Sequence, residues 1–361
     1  MPERVLVALG GNALVKAGQR GTLDEQTATL RSALTGVVEL IRRGHRVVLT
    51  HGNGPQVGQI LLRAEAARGQ AYDLPLDVCV AQSQGETGYL IQQCLQNLLR
   101  QRGIGDHPAA TVITRTLVDP DDPRMGHPTK PVGPFYTQEQ AERWRATGWR
   151  IAEDAHRGYR RLVPSPLPIG IVEASIVRRL VEAGVIVIAG GGGGIPVRRE
   201  RDGTLAGVEA VVDKDLASSR LAVELGIDTS LDLTAVEQVM LDFGTTKERP
   251  LGTLTVQEAR TYLAEGHFAP GSMGPKIEAA MWFLERGGRE IIITSPEKAL
   301  AAFDGSAGTH LYPAPGGKTR KQRPPFKNLP KRQAKKFAGL KQANERERIV
   351  GKKTKSRSPG R

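Results

Sequence analysis

Residues 46–58 read Arg46-Val47-Val48-Leu49-Thr50-His51-Gly52-Asn53-Gly54-Pro55-Gln56-Val57-Gly58. The run from Arg46 to Thr50 is short and apolar without a polar alternation, which predicts a strand buried on both faces. The loop His51 to Gly54 follows its end. Pro55 then suits the first turn of a helix, where its missing N–H needs no partner. Strand, glycine loop and helix in that order is the repeating unit of a sheet whose strands run parallel.

The same plan extends in both directions. Residues 4–9 (Arg4 to Leu9) form an apolar run that ends in Gly10-Gly11-Asn12. Asp24 is placed to cap a helix whose apolar positions Leu30, Leu34, Val37, Val38 and Ile41 repeat at helical spacing, and Gly44 stands where a left-handed C-cap belongs. Further strands are predicted near 110–114, 185–189 and 290–294, with helices near 77–101, 172–183, 213–225 and 274–286. The alternation predicts an α/β protein with a mostly parallel sheet covered on both faces, its ligands beyond the carboxyl ends of the strands. One stretch departs from it. Residues 115–170 carry Pro120, Pro123, Pro128, Pro131, Pro134, Pro164, Pro166 and Pro168 with little apolar periodicity. They read as an inserted subdomain or lid anchored by Phe135, Tyr136, Trp144 and Trp149, with a mobile linker as the plainer alternative.

Length and composition bound the function. A chain of 361 residues exceeds what one core usually serves, so two lobes are expected. Aromatic residues are only 4% while glycines number 42, which favours glycine loops over aromatic-lined pockets as the working surface. No apolar run approaches the roughly 18 residues needed to span a membrane, and the first residues lead into a strand without a leader pattern, so the chain is expected to be cytoplasmic. Cys79 and Cys94 form no CxxC pair, and a small buried apolar role suits them better than a disulfide or metal site. The net charge of +13 is unevenly placed: residues 316–361 hold 17 Lys and Arg against Glu345 and Glu347, leaving about −2 on residues 1–315. The basicity therefore belongs to a tail, 313–361, which is expected to be disordered. Such a tail would attract nucleic acid, but Phe326 and Phe337 are its only aromatic residues, so a neutral extension is the favoured reading.

Four segments have the composition of anion-binding loops: Gly10-Gly11-Asn12, Gly52-Asn53-Gly54, the five glycines Gly190 to Gly194, and Gly271 to Lys276 at the start of a helix. Backbone N–H groups at helix starts surround phosphate, and glycine permits the close approach. The dinucleotide fingerprint fails, because Val57 stands where its third glycine belongs. Gly317-Lys318-Thr319 mimics the end of a Walker A loop, but Tyr312 replaces its first glycine. Phosphoryl transfer needs cations around the migrating group. Lys130, Lys214 and Lys276 are the candidates. An ordinary helix start with acids favoured by the dipole accounts equally well for Asp213-Lys214-Asp215, and a solvated helix face accounts equally well for Lys276. His51 is the one histidine inside a candidate loop, where a hydrogen-bonded structural role is the simpler reading.

Several longer segments together resemble carbamate kinases. They are Val7 to Leu14, Thr50 to Gly58, Ser83 to Tyr89, Pro128-Thr129-Lys130-Pro131 through Tyr136, Val163 to Pro166, Gly190 to Val197, Gly207 to Ala217 and His267 to Lys276. The match is collinear from about residue 3 to 312, and its Pro-Thr-Lys-Pro and Asp-Lys-Asp motifs are more specific than glycine loops. The resemblance implies the amino-acid kinase fold, an open αβα sandwich with a mainly parallel central sheet and a small protruding subdomain. It implies an acceptor lobe over 1–180, including the 115–170 lid, and a nucleotide lobe over 181–312. Gly10, Gly11, Asn12, Gly52, Asn53 and Gly54 would then surround carbamate and the phosphoryl group. Lys130, Lys214 and Lys276 would neutralise charge, and Asp215 would orient the lysines. Gly191, Gly192, Gly193, Gly194 and Met273 would line the nucleotide side. The implied substrates are carbamoyl phosphate and ADP, giving ATP and carbamate, which breaks down to ammonia and CO2. Mg²⁺ held by the phosphates, a homodimer and a place in arginine catabolism through the arginine deiminase pathway are implied as well. Two departures stand out: Arg124-Met125-Gly126-His127 replaces an aromatic residue and an asparagine of relatives, and relatives end near Leu311. Another small acid as acceptor is disfavoured by the Pro-Thr-Lys-Pro motif. A nonenzymatic scaffold is disfavoured by the intact Asn12, Lys130, Lys214, Asp215 and Lys276.

Overall fold

The computed structural model describes residues 3–16, 18–153, 158–269 and 271–313; the basic tail expected from residue 313 lies, but for its first residue, outside them. Eight strands build the central sheet: β1 (Arg4–Leu9), β2 (Arg46–His51), β3 (Ala109–Thr111), β4 (Ile186–Ile188), β5 (Thr229–Leu233), β6 (Thr253–Thr255), β7 (Glu290–Thr294) and β8 (Thr309–Tyr312). Their order across the sheet is β6-β8-β7-β5-β1-β2-β4-β3. All neighbouring pairs are parallel except β7 with β8.

Strands β1, β2, β4 and β7 are buried on both faces, as their apolar runs require. Val5, Val7 and Leu9 of β1 pack into one core with Leu30, Leu34 and Leu95, while Leu6 and Ala8 pack into the other with Val177, Leu221 and Ile277. The first core is covered by α1 (Leu23–Arg42) and α3 (Leu76–Gln101). The second is covered by α5 (Ala174–Glu182), α6 (Lys214–Leu225), α7 (Val256–Ala264) and α8 (Met273–Leu284). Helix α2 (Gly54–Ala66) follows β2 with Pro55 in its first turn, as the sequence predicts.

One expectation about α1 is corrected. Its N-cap is Thr22 rather than Asp24: the Thr22 hydroxyl accepts from the Glu25 N–H at 3.3 Å, and the Glu25 carboxylate accepts from the Thr22 N–H at 3.0 Å. This reciprocal pair satisfies two donors, which Asp24, already inside the first turn, does not. Gly44 has φ +88°, as the left-handed position after the helix demands.

The described residues of 115–170 are structured. A three-stranded antiparallel sheet of Lys130–Tyr136, Tyr159–Val163 and Ile151–Glu153 lies beside α4 (Gln138–Ala146). Its own small core holds Tyr136, Ala141 and Ile151, with Trp144 and Trp149 stacked 4.4 Å apart. Phe135, by contrast, is exposed and lies under the Arg160 guanidinium. The flanks Arg115–Val118 and Pro168–Ile171 instead join Ile195–Arg199 and Leu205–Gly207 in a separate four-stranded sheet. Among the described residues, no helix is long and apolar enough to cross a membrane.

Candidate active site

The loops singled out in the sequence meet beyond the carboxyl ends of β1, β2, β4 and β5. Gly10 donates its N–H to Leu233 O at 2.8 Å, tying the loop after β1 to the end of β5, and Gly52 donates to Leu9 O at 2.9 Å, tying the loop after β2 to β1. A side chain at Gly52 would lie 3.5 Å from the Gly11 nitrogen and 3.5 Å from the Lys214 side chain, which fixes how close these three stand.

The five-glycine loop after β4 is packed against buried polar groups. Gly192 has φ +65°, and a Cβ there would stand 2.0 Å from Asn53 Nδ2. Both the backbone conformation and the space require glycine. The same holds at Gly194, where φ is +84° and Thr116 Oγ1 would be 2.0 Å away. Polar contacts hold the loop in place. Gln84 Nε2 donates to Gly191 O at 2.9 Å, Thr116 Oγ1 to Gly193 O at 2.7 Å, and the Gly190 N–H to Thr114 Oγ1 at 3.0 Å. Asn53, itself buried, donates to Ser83 Oγ at 2.6 Å. His51 is buried with its Nδ1–H donating to Gly52 O at 2.8 Å. Burial pushes this imidazole down to about 4 against the smaller opposing effect of that hydrogen bond, so it is neutral near pH 7. It holds the loop, consistent with the structural role expected for it.

The charged groups gather at the starts of α6 and α8. Asp213 caps α6, its Oδ1 accepting from the N–H of Asp215 at 2.9 Å and of Leu216 at 3.3 Å. Lys214 and Asp215 follow in its first turn and pair with one another. Lys276, in the first turn of α8, reaches Asp215 at 3.2 Å and Asp232 of β5 at 2.8 Å, and Lys214 stands 3.8 Å from Asp232. Lys130, at the start of the lid strand, pairs with Asp213 Oδ2 at 2.8 Å. Three lysines and three aspartates therefore balance one another.

Burial alone favours the neutral amine at Lys214, but Asp215, Asp232 and Asp213 outweigh it and hold the ammonium well above the ordinary lysine value. Burial likewise opposes ionisation of Asp215, but Lys214 and Lys276 outweigh it and hold its carboxyl well below the usual carboxylate range. Both groups are charged across the working pH range. Such a cluster offers fixed positive charge to an anion without any proton transfer.

Of the predicted residues, Lys130, Lys214, Asp215 and Lys276 are linked through aspartates, and Gly10, Gly11, Gly52, Asn53 and Gly191 to Gly194 lie in the loops around them. Asn12 is exposed in the short turn after Gly11, and Gly54 opens α2. Met273 starts α8 but packs partly against the core, one turn before Lys276. Asp232 was not anticipated. Its signal is a lone carboxylate within a fully buried five-residue strand, Thr229-Ser-Leu-Asp-Leu233, a setting in which an unpaired charge is untenable.

The model of the amino acid kinase family matches residues 3–295. The carbamate kinase of Pyrococcus horikoshii is 52% identical over 318 residues, covering 87% of this chain and 100% of that protein; the carbamate kinase of Pyrococcus furiosus gives the same figures. Among solved structures, the carbamate kinase from Giardia lamblia bound to AMP-PNP superposes with a TM-score of 0.81 at 41% identity, covering 87% of this chain and 99% of that one.

Proposed function

The chain belongs to the amino acid kinase family and, within it, to the carbamate kinases, and from this premise we propose that Lys130, Lys214 and Lys276 close on the phosphoryl group as it passes between carbamoyl phosphate and ADP. The observation that carries the assignment is the convergence of three lysines, from the lid, α6 and α8, on Asp213, Asp215 and Asp232 at the ends of the sheet strands.

The chemistry follows from what such a cluster supplies. A terminal oxygen of the ADP β-phosphate attacks phosphorus, and the bond from phosphorus to the carbamoyl oxygen breaks in line. Carbamate leaves with the electron pair, and ATP is formed without a phosphoenzyme. Positioning and charge neutralisation are the protein's whole contribution. Asp215 pairs with both Lys214 and Lys276 and so offsets the repulsion between the two ammonium groups while fixing where each stands. Backbone N–H groups of Gly11, Asn12, Asn53 and Gly54 would hold carbamate and the phosphoryl group, with Gly10 and Gly52, whose own N–H groups go to Leu233 O and Leu9 O, lining the same loops, and Gly191 to Gly194 and Met273 on the nucleotide side. The lid strand bearing Lys130 would exclude water from the site in which carbamate, itself prone to break down, is bound.

Among the described residues there is no group of three or more His, Cys, Asp or Glu that could hold a metal. The family resemblance implies a Mg²⁺ ion carried mainly on the nucleotide phosphates, an arrangement that needs few protein ligands. Asp232 Oδ1, buried and without a hydrogen-bond partner, is the carboxylate oxygen left to face it. The bound ion would neutralise charge on the phosphate oxygens.

The reaction is read as reversible. Its place is read as arginine catabolism through the arginine deiminase pathway, in the cytoplasm, by a homodimer. The family resemblance supports these finer readings. Formation of ATP from carbamoyl phosphate and ADP by the purified full chain is the expected result; a folded protein that makes none would overturn the assignment.

A further inference from the structure

Asp213 uses its two oxygens for different purposes. Oδ1 caps α6 through the N–H groups of Asp215 and Leu216, and Oδ2 takes the Lys130 ammonium at 2.8 Å. The aspartate is thus fixed to the helix that carries Lys214 and Asp215, while its partner arrives from the lid. Lys130 is the most exposed of the three site lysines, at 38% against 17% for Lys214 and 11% for Lys276. The other two pair with carboxylates of the body, on α6 and β5.

We propose that Asp213 is a positioning residue that stands in for the transferring phosphoryl group, holding Lys130 between turnovers and yielding it when carbamoyl phosphate or ATP enters. The inference rests on the reading that Lys130 touches that phosphoryl group. The lid does not need to leave for the exchange, because two other contacts hold it to the body. Tyr136 Oη donates to Glu65 Oε1 at 2.6 Å, and Arg161 pairs with Glu209 at 3.2 Å. Only the lysine head group changes partner, a rotation its four-carbon stem allows. Holding the cation in place lowers the ordering cost when substrate binds, but the aspartate also competes with substrate for it. Asp213 therefore sets the affinity for phosphoryl donors through Lys130.

Asp213→Asn separates the two roles, since asparagine also caps helices but carries no charge. In this variant the KM for carbamoyl phosphate should fall roughly tenfold, the factor corresponding to one charge-assisted hydrogen bond no longer in competition. Turnover should fall with it, because ATP is released more slowly. The effect on KM should vanish in a Lys130→Met background, which a merely structural role for Asp213 would not produce. An unchanged or higher KM in Asp213→Asn, or the same fall without Lys130, overturns the proposal. If Lys130→Met alone matches wild type in both constants, it is instead the role of Lys130 that fails. Asp213→Ala, which also loses the cap, serves as the control for folding and should melt below Asp213→Asn.

Discussion

Asp232→Asn isolates the electrostatic balance of the site. Asp232 is 8% exposed and pairs with Lys276 at 2.8 Å and Lys214 at 3.8 Å. The amide is nearly isosteric, so packing is preserved and one negative charge is lost. Lys214 and Lys276 are then left to share Asp215. Breaking a buried ion pair costs about 3–5 kcal/mol, and the low end applies because Asp215 still serves both lysines. For a folded body of roughly 300 residues, about 3 kcal/mol lowers Tm by about 5 °C. The surplus positive charge also strengthens binding of a phosphate ligand, so saturating ATP without Mg²⁺ should raise the Tm of the variant by more than it raises that of wild type. Differential scanning fluorimetry with and without ATP reads both effects. Equal melting of the two free proteins, with equal shifts on adding ATP, would falsify the view that Asp232 balances the lysines.

His51 makes stability pH-dependent above the carboxylate range. Its folded value lies near 4 against 6.5 when exposed, so the unfolded chain binds the extra proton and stability drains away as pH falls from about 6.5 to about 4. The full loss is about 3 kcal/mol, and His51→Asn should flatten the slope of Tm over that window; an unchanged slope would exclude His51 as its source. Gly192→Ala, with φ +65° and its Cβ 2.0 Å from Asn53 Nδ2, should destabilise the fold by at least the roughly 1–2 kcal/mol of a left-handed alanine, lowering Tm by about 2–3 °C or more, and cut activity. Gly11→Ala, whose Cβ meets nothing within 4 Å, should leave Tm near wild type, and similar melting of both variants would contradict the packing described for the five-glycine loop.

The sequence made legible those parts where local chemistry and tertiary burial agree. Arg4–Leu9 and Glu290–Thr294 are apolar runs buried on both faces, and their strands fall where the runs do. Strand Thr229–Leu233 was missed because its threonine, serine and Asp232 interrupt the apolar pattern, and only the facing lysines make that carboxylate tolerable. Strands Thr253–Thr255 and Thr309–Tyr312 are short and close one end of the sheet, the first at its edge and the second beside it, where pairing rather than composition decides the element. Asp24 drew attention away from the capping box at Thr22 and Glu25, although both partners stand at the right spacing. Within the site, lysines and glycines announced themselves by motif. The second roles of their neighbours did not: Asp213 looked like a helix-start acid, and its grip on Lys130, 83 residues away, exists only once the lid has folded back. Gln84 and Thr116 likewise hold the five-glycine loop through contacts that no local spacing encodes.

The central claim is that lysines from three separate elements act together on the transferring phosphoryl group. The most direct measurement is steady-state ATP formation from carbamoyl phosphate and Mg·ADP by wild type, Lys130→Ala and Lys276→Ala, with ADP affinity determined for each by calorimetry. Turnover should collapse in both variants, and in Lys130→Ala it should fall far more than ADP binding weakens. Turnover near wild type in either variant, or equal loss of turnover and ADP affinity in Lys130→Ala, would contradict it.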